Sequence, residues 1–486
     1  MADGGLRDHR GRLFIGGAWR DAEGGRTLPV EDPSTGEIVG QIAAGGAADI
    51  DAAVDAGRGA LAGEWGQLAA AERGRILSRV GTRVAEHTEE LARLEAADVG
   101  KPLRQARADA AALARYLEFY GGAADKLTGE TLEYLAGYTV FTLREPHGVT
   151  GHIIPWNYPM QILGRSVVAA LAVGNAAVIK PAEEASLAAL AFARIAADCG
   201  LPAGALNVVT GLGETAGAAL AAHEGVNHVS FTGSAVVGAL VQAAAAPRAA
   251  PVTLELGGKS AQIVFDDADL DAAAPFLVSA GIQNAGQTCS AASRILVQRD
   301  VYAEVLERLA ARYGALTVGP AMGDHDVGPL ISARQFAVVQ RYFDLAGQDR
   351  LEVAARGRIV EDAPKGGHYF APALIAGVAP GHVLAQEEIF GPVQVVIAFD
   401  DEEEAVAIAN GTRYGLVAGA WTADGARQFR LARRLQAGQV FINNYGAGGG
   451  VELPFGGVKQ SGHGREKGFE ALYGFTTLKT VAVRHG

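Results

Sequence analysis

Cys289 stands in the stretch "NAGQTCSAASR", from Asn284 to Arg294, and the chain has one other cysteine, Cys199. A free thiol has a pKa near 8.5, so only about 3% is thiolate at neutral pH. A cysteine nucleophile therefore needs a base or a favourable field. "TLELGGKS" supplies Glu255, at the end of an apolar run and just before a Gly-Gly turn. A carboxylate in apolar surroundings has a raised pKa and can act as a general base near neutrality. "IIPWNYP" supplies Asn157, held between Trp156 and Tyr158-Pro159. Its amide is a donor suited to an oxyanion, an interaction worth about 3–4 kcal/mol of barrier. Each residue also has a plainer reading: a core thiol, a salt-bridge partner, a helix cap. Cys199, at a helix end in "AADCGLP", keeps the plainer one. No Cys/His spacing suggests a metal site, and no G-x-S-x-G is present.

A second group of residues has the chemistry of nucleotide binding. "NVVTGLGETAG" contains Gly211-Leu-Gly213-Glu-Thr-Ala216, a G-x-G-x-x-A between strand-like and helix-like runs. Such a turn lets backbone approach a pyrophosphate, although a tight turn alone explains the glycines as well. "VSFTGSAVVG" is another strand-turn-helix junction, where Thr232, Gly233 and Ser234 offer hydroxyls and N–H groups to an anion. In "AAVIKPAEEAS", Lys180 ends a strand-like run and Glu183 follows three residues later. Such a pair can bond ribose hydroxyls at the end of a parallel strand. It can also be a simple surface ion pair. The carboxylate would repel a 2′-phosphate, which favours NAD and makes NADP the less favoured cofactor.

These residues need elements to hold them. The chain has 486 residues, enough for two or three domains, with 49% hydrophobic and 20% charged residues and 65 glycines. Residues 12–43 read as short strands and turns, and Ala48 to Tyr120 as helices. "TLEYLAGYTVFTLREPHG" reads as a hairpin. From Val149 strands and helices alternate: "VTGHII", "MQILGRSVVAALAVG", "AAVIK", "EASLAALAFARIAADCG", "ALNVVTG", "ETAGAALAAH", "VNHVSFTG". A second alternating region runs from about Thr253 to Gly457, and "FTTLKTVAVRH" closes the chain as a strand. The pattern implies an α/β protein with parallel sheets covered by helices. The net charge of −12 carries no basic footprint for nucleic acid. Two cysteines make no disulfide framework. The start lacks a signal-like apolar run, and the longest apolar stretch is broken by Gly174 and Asn175. A cytoplasmic protein with no membrane partner is expected.

Taken together, "PWNYP", "KPAE", "FTGS", "LELGGKS", "GQTCSAASR", "EEIFGPV" and "PFGGVKQSGHGREKG" resemble the aldehyde dehydrogenase superfamily, over nearly the whole chain. The resemblance implies a Rossmann-like cofactor domain, an α/β catalytic domain and a small bridging β-sheet. The boundaries expected are 1–122 and 146–256 for the NAD-binding domain and 257–460 for the catalytic domain. Segments 123–145 and 461–486 would bridge and support a homodimer or homotetramer. The activity implied is hydrolytic oxidation of a small-molecule aldehyde to its acid with NAD. Cys289 would add to the aldehyde carbon, and Asn157 with the Cys289 N–H would hold the oxyanion. Glu255 would activate the water that hydrolyses the thioester. For the cofactor, Lys180 and Glu183 would hold the adenine-side ribose, with Gly211 in the neighbouring turn. Ile153 would be a further cofactor contact, Trp156 and Ser234 would lie at the pyrophosphate, and Val237 near the adenine. Glu388 and Phe390 would position the nicotinamide ribose and ring. Glu466 is a candidate proton relay.

The chain also departs from its relatives. Many members carry Trp-Lys where this chain has Arg165-Ser166, and losing the Lys puts a relay through Glu466 in doubt. Arg165 has two readings. It could receive a carboxylate, as in succinate-semialdehyde dehydrogenases, whose usual second Arg is Gln283 here. Or it is structural, bonded to a neighbouring carboxylate or carbonyl. Ile282 replaces a commoner Phe. The loop Asn444–Pro454 would line the tunnel mouth with little side-chain wall. The alternatives to a general hydrolytic enzyme are a semialdehyde-specific enzyme, a CoA-acylating one, which would not need Glu255, and a non-catalytic NAD-binding structural protein.

Overall fold

A computed structural model describes residues 11–446 and 450–486. Ala, Val and Ile dominate the runs that become strands, and both faces of these strands are buried, as a helix-covered parallel sheet requires. The first sheet has eight strands. In spatial order they are Ala18–Arg20, Leu13–Ile15, Leu206–Val208, Ala176–Pro181, Val149–Ile154, His228–Thr232, Val252–Glu255 and Gly462–His463. The five strands from Leu206–Val208 to Val252–Glu255 are parallel. Their chain order reverses between Val149–Ile154 and His228–Thr232, and ligands of such sheets bind at the carboxyl ends beside that reversal.

The second sheet has seven strands: Glu352–Arg356, Ala373–Ala376, Val393–Phe399, Arg294–Gln298, Ala261–Val264, Val417–Trp421 and Gln439–Ile442. All its pairings are parallel except the first. A third, antiparallel sheet joins Thr476–Arg484 to Tyr138–Pro146 and Thr131–Leu132, so the last strand pairs with the expected hairpin. The long helices Ala47–Ala62, Ala70–Glu86, Thr88–Val99 and Leu103–Ala123 pack with the first sheet. Among the described residues no helix is long and apolar enough to cross a membrane.

One helix differs from the regular one expected over 160–174. It starts at Pro159, becomes π-helical over Leu163–Val168, and returns to α over Ala169–Ala172. A π turn shifts every later side chain relative to an α-helix and often marks a functional site. Arg165 and Ser166 lie inside it.

Candidate active site

Cys289 follows a strained turn. Asn284, Ala285 and Gly286 have φ of 50°, 54° and 70°. Left-handed conformations cost non-glycine residues about 1–3 kcal/mol each, so such a turn persists only where neighbours over-determine it. Here the Asn284 N–H donates to Gln105 Oε1 at 2.9 Å, and Asn284 Nδ2 donates to the Asn157 carbonyl at 2.9 Å. Gln287 Nε2 donates to the Asn284 carbonyl at 3.0 Å. In return Asn157 Nδ2 donates to the Gln287 carbonyl at 3.0 Å, which fixes the amide and leaves its second N–H for the cavity. The Tyr158 and Thr288 hydroxyls pair at 2.9 Å. The Asn157 and Cys289 segments, 132 residues apart in sequence, are thus stitched together.

Cys289, Asn157, Arg165, Thr232, Phe455 and Lys467 line one cavity of about 30 Å³, room for one or two water-sized groups. Tyr158, Gln161 and Gln283 also line a cavity of about 780 Å³ that extends beyond it. Ile282, Tyr445, Gly446 and Gly450–Glu452 are on the wall of the larger one. The loop expected at the mouth is therefore there, although residues 447–449 lie outside the described residues.

Burial pushes the Cys289 thiol up to about 12, and the positive charge of Arg165 pulls against this. Glu255 ends the strand Val252–Glu255 and is 1% exposed. Both its carboxylate oxygens are buried and have no hydrogen-bond partner among the described residues. Burial, then the neighbouring Glu466, holds its pKa well above the usual carboxylate range, opposed by Arg165 and Arg465. Arg165 is ion-paired with the fully buried Glu466. Its guanidinium lies 4.8 Å from the Phe455 ring centre and reaches Thr232 Oγ1 at 3.5 Å. The carboxylate foreseen for a structural Arg165 is therefore Glu466. Ser230 Oγ donates to Glu466 Oε1 at 3.0 Å, Ser166 Oγ to Ser230 Oγ at 2.9 Å, and His152 Nδ1 lies 2.7 Å from Ser166 Oγ.

The Gly-Gly turn after Glu255 is a steric requirement. A Cβ on Gly258 would strike the Cys289 carbonyl, and one on Gly257 would strike the Glu388 carboxylate. The Gly258 N–H donates to Glu388 Oε1 at 2.9 Å. Burial raises Glu388 to about 7, against that bond and the nearby Lys259. Phe390 has φ of 57°, and Gln335 Nε2 holds its carbonyl at 2.9 Å. The Phe390 ring meets Trp156 edge-on, with centroids 5.3 Å apart. Residues from both large sheets thus face one another beside Cys289.

The other residues expected to hold a nucleotide lie toward the carboxyl ends of the first sheet. Ile153 is in register with Lys180 and Phe231 on the two flanking strands. Lys180 is 3% exposed and ion-paired with Glu183 at 2.9 Å, so it is not a simple surface residue. A Cβ on Gly217 would touch the Lys180 side chain, which places the turn at Gly213 beside the pair. Gly211 has φ of 151°, and a Cβ there would meet the Gly45 carbonyl, so packing within the protein already demands glycine. Ser234 caps the helix Ala235–Ala245, accepting from the Val237 N–H, and Val237 is exposed. Sequence reasoning assigned no role to Asn284, Gln287 or Gln335. The first two lie within the quoted cysteine stretch, and a polar pair in a tight turn was the available signal. Gln335, on a distant helix, gave none.

The chain matches the family model described as Aldehyde dehydrogenase family over residues 19–481, and it belongs to that family. It is 42% identical over 472 residues to the hydroxyisobutyraldehyde dehydrogenase of Mycolicibacterium austroafricanum, covering 97% of this chain and 93% of that one. A crystal structure from Burkholderia cenocepacia, described as an aldehyde dehydrogenase by assignment, superposes with a TM-score of 0.97 and 65% identity, covering 98% and 100% of the chains. An NAD+ complex of a Bacillus cereus aldehyde dehydrogenase superposes with a TM-score of 0.95 and 38% identity, covering 98% and 97%.

Proposed function

We propose that this protein oxidises an aldehyde to the carboxylic acid with NAD, through a thioester on Cys289. The observation that carries the reading is the convergence on one site of a half-buried thiol, an amide with a second donor, and a buried carboxylate with no hydrogen-bond partner among the described residues. The Cys289 sulfur attacks the aldehyde carbon as its proton passes to a base. The second Asn157 N–H and the Cys289 N–H take the oxygen that becomes negative. NAD, when bound, accepts the hydride that leaves this carbon. Glu255 then takes a proton from water, whose oxygen attacks the thioester carbon. The C–S bond breaks, the acid leaves, and Cys289 regains its thiolate.

For the cofactor, the donor–acceptor pair Lys180–Glu183 beside the Gly213 turn fits ribose hydroxyls, and the carboxylate disfavours a 2′-phosphate. Glu388, Phe390 and Trp156 fit the nicotinamide end. The bound NAD+ of the Bacillus cereus relative supports the same choice. Glu255 supports hydrolysis over transfer to CoA, and the presence of all three chemical groups supports an enzyme over a scaffold. The two large sheets are the cofactor and catalytic domains in this reading. Leu132, Leu143 and Leu478, exposed on the antiparallel sheet, and Tyr134 in the turn beside them support assembly into a homo-oligomer through it. Both cysteines are free, which suits a reducing compartment such as the cytosol.

The test is NADH formation across aliphatic, aromatic, hydroxy- and carboxylate-bearing aldehydes, with NAD and with NADP. Cys289→Ala is expected to abolish turnover while NAD binding persists. Retained turnover would refute the nucleophile assignment.

A further inference from the structure

The chemistry proposed above needs Cys289 as a thiolate, and its surroundings oppose one. Burial, Glu388 and Glu255 all disfavour ionisation. Tyr158, Tyr445 and Glu466 add no positive charge, and Lys467 on the same cavity wall is itself lowered to about 8 by burial. Arg165 is the cation on this wall that keeps its charge at every working pH. Three contacts fix it: Glu466 on Nε, Thr232 on Nη2, and the face of Phe455. Phe455 also belongs to the small apolar cluster against which Cys289 packs.

We propose that Arg165 is the counter-cation of the Cys289 thiolate, with Glu466 as its positioning residue, and is not a receptor for a substrate carboxylate. The inference rests on the thiol chemistry of the proposed function. When Cys289 S–H loses its proton to water, a negative charge forms on sulfur while the Glu255 carboxylate stays free for the hydrolytic step. Arg165 acts on both groups, so one fixed cation offsets each charge. Ser230, Ser166 and His152 hold Glu466 from behind, so the ion pair does not have to form anew in each cycle. A substrate carboxylate at Arg165 would be a further anion beside Glu466, with which Arg165 is already ion-paired.

The test is alkylation of Cys289 by iodoacetamide, followed peptide by peptide by mass spectrometry, with second-order rates compared from about pH 6.5 to 9, without NAD or aldehyde. The double variant Arg165→Met/Glu466→Leu removes the pair without leaving a buried charge uncompensated. It is expected to react about tenfold more slowly at each pH, the loss of thiolate that a pKa raised by about one unit causes. Arg165→Lys should stay within about threefold of wild type, because the charge remains. Glu466→Gln should react faster, because it frees the cation from its anion. An unchanged rate in the double variant overturns the proposal. If that variant does not fold, an unchanged rate in Glu466→Gln overturns it instead. A second arm compares kcat/KM for a semialdehyde and a neutral aldehyde of equal length. A similar loss for both in the double variant supports the proposal. A loss confined to the semialdehyde, and to KM, overturns it in favour of a receptor. If wild type makes no NADH while alkylation still depends on Arg165, the dehydrogenase reading fails and this one stands.

Discussion

Asn157→Ala separates catalysis from stability at one residue. The substitution removes the amide that donates to the Gln287 carbonyl at 3.0 Å. That carbonyl keeps a second, weaker donor, Asn284 Nδ2 at 3.5 Å, so it is not orphaned. The strained turn before Cys289 is held by the Asn157 backbone carbonyl, which the substitution leaves in place. The stability cost is therefore that of one ordinary hydrogen bond, about 1 kcal/mol. The catalytic cost is larger. The second N–H of the amide meets an oxygen that carries full charge only in the transition state, and losing one such donor costs about 2.7–4 kcal/mol, a factor of roughly 10²–10³ in kcat. KM should change little, because the ground-state carbonyl gains little from the donor. The assay is the first turnover of NADH formation with enzyme in excess, beside urea unfolding of the same preparations. A loss in kcat below about tenfold, or one explained by unfolding, would refute the oxyanion role.

Glu255→Gln should give an initial burst of about one NADH per site and then turn over about 10²–10⁴-fold more slowly, as an unhydrolysed thioester accumulates; steady turnover without a burst would remove Glu255 from hydrolysis. The same variant tests linkage. The folded pKa of Glu255 is raised above its unfolded value, so its contribution to stability falls as pH climbs from the unfolded value through the raised one. Glu255→Gln should therefore melt higher than wild type at pH 8, with the advantage vanishing near about pH 4. Glu183→Ser should weaken the preference for NAD over NADP in kcat/KM; an unchanged ratio would show that Glu183 does not read the 2′ position. Lys101→Met should destabilise the protein by about 3–5 kcal/mol, measured by urea unfolding, because Lys101 pairs with Glu95 and Asp109 and all three are buried. Its cation also lies 4.0 Å from the centre of the Tyr158 ring, so the Asn157 segment should loosen with it.

The pairing of a late strand with a hairpin followed from the family resemblance, while the sequence by itself determined the alternation of strands and helices and offered the residue types from which the candidate site was assembled. These are local or compositional properties. Burial on both strand faces selects continuous apolar runs, and a nucleophile, a base and a donor are limited to a few residue types. The Lys180–Glu183 pair was legible for the same reason, being three residues apart at the end of a strand.

What the sequence could not decide depends on contacts between distant segments. Arg165 had two readings because its partner lies 301 positions away, on a segment that reaches it only after Gly462–His463 joins the first sheet. The π turn that carries Arg165 has no sequence signature, since its backbone bonds shift by one residue without a change in residue type. The glycines of "LELGGKS" look like a turn, yet packing demands them: Cys289 presses on one and Glu388 on the other. The unusual backbone of Asn284, Ala285 and Phe390 is likewise invisible locally. No residue chooses a strained conformation alone, and it takes Gln105, Asn157 and Gln335, each remote in sequence, to hold it.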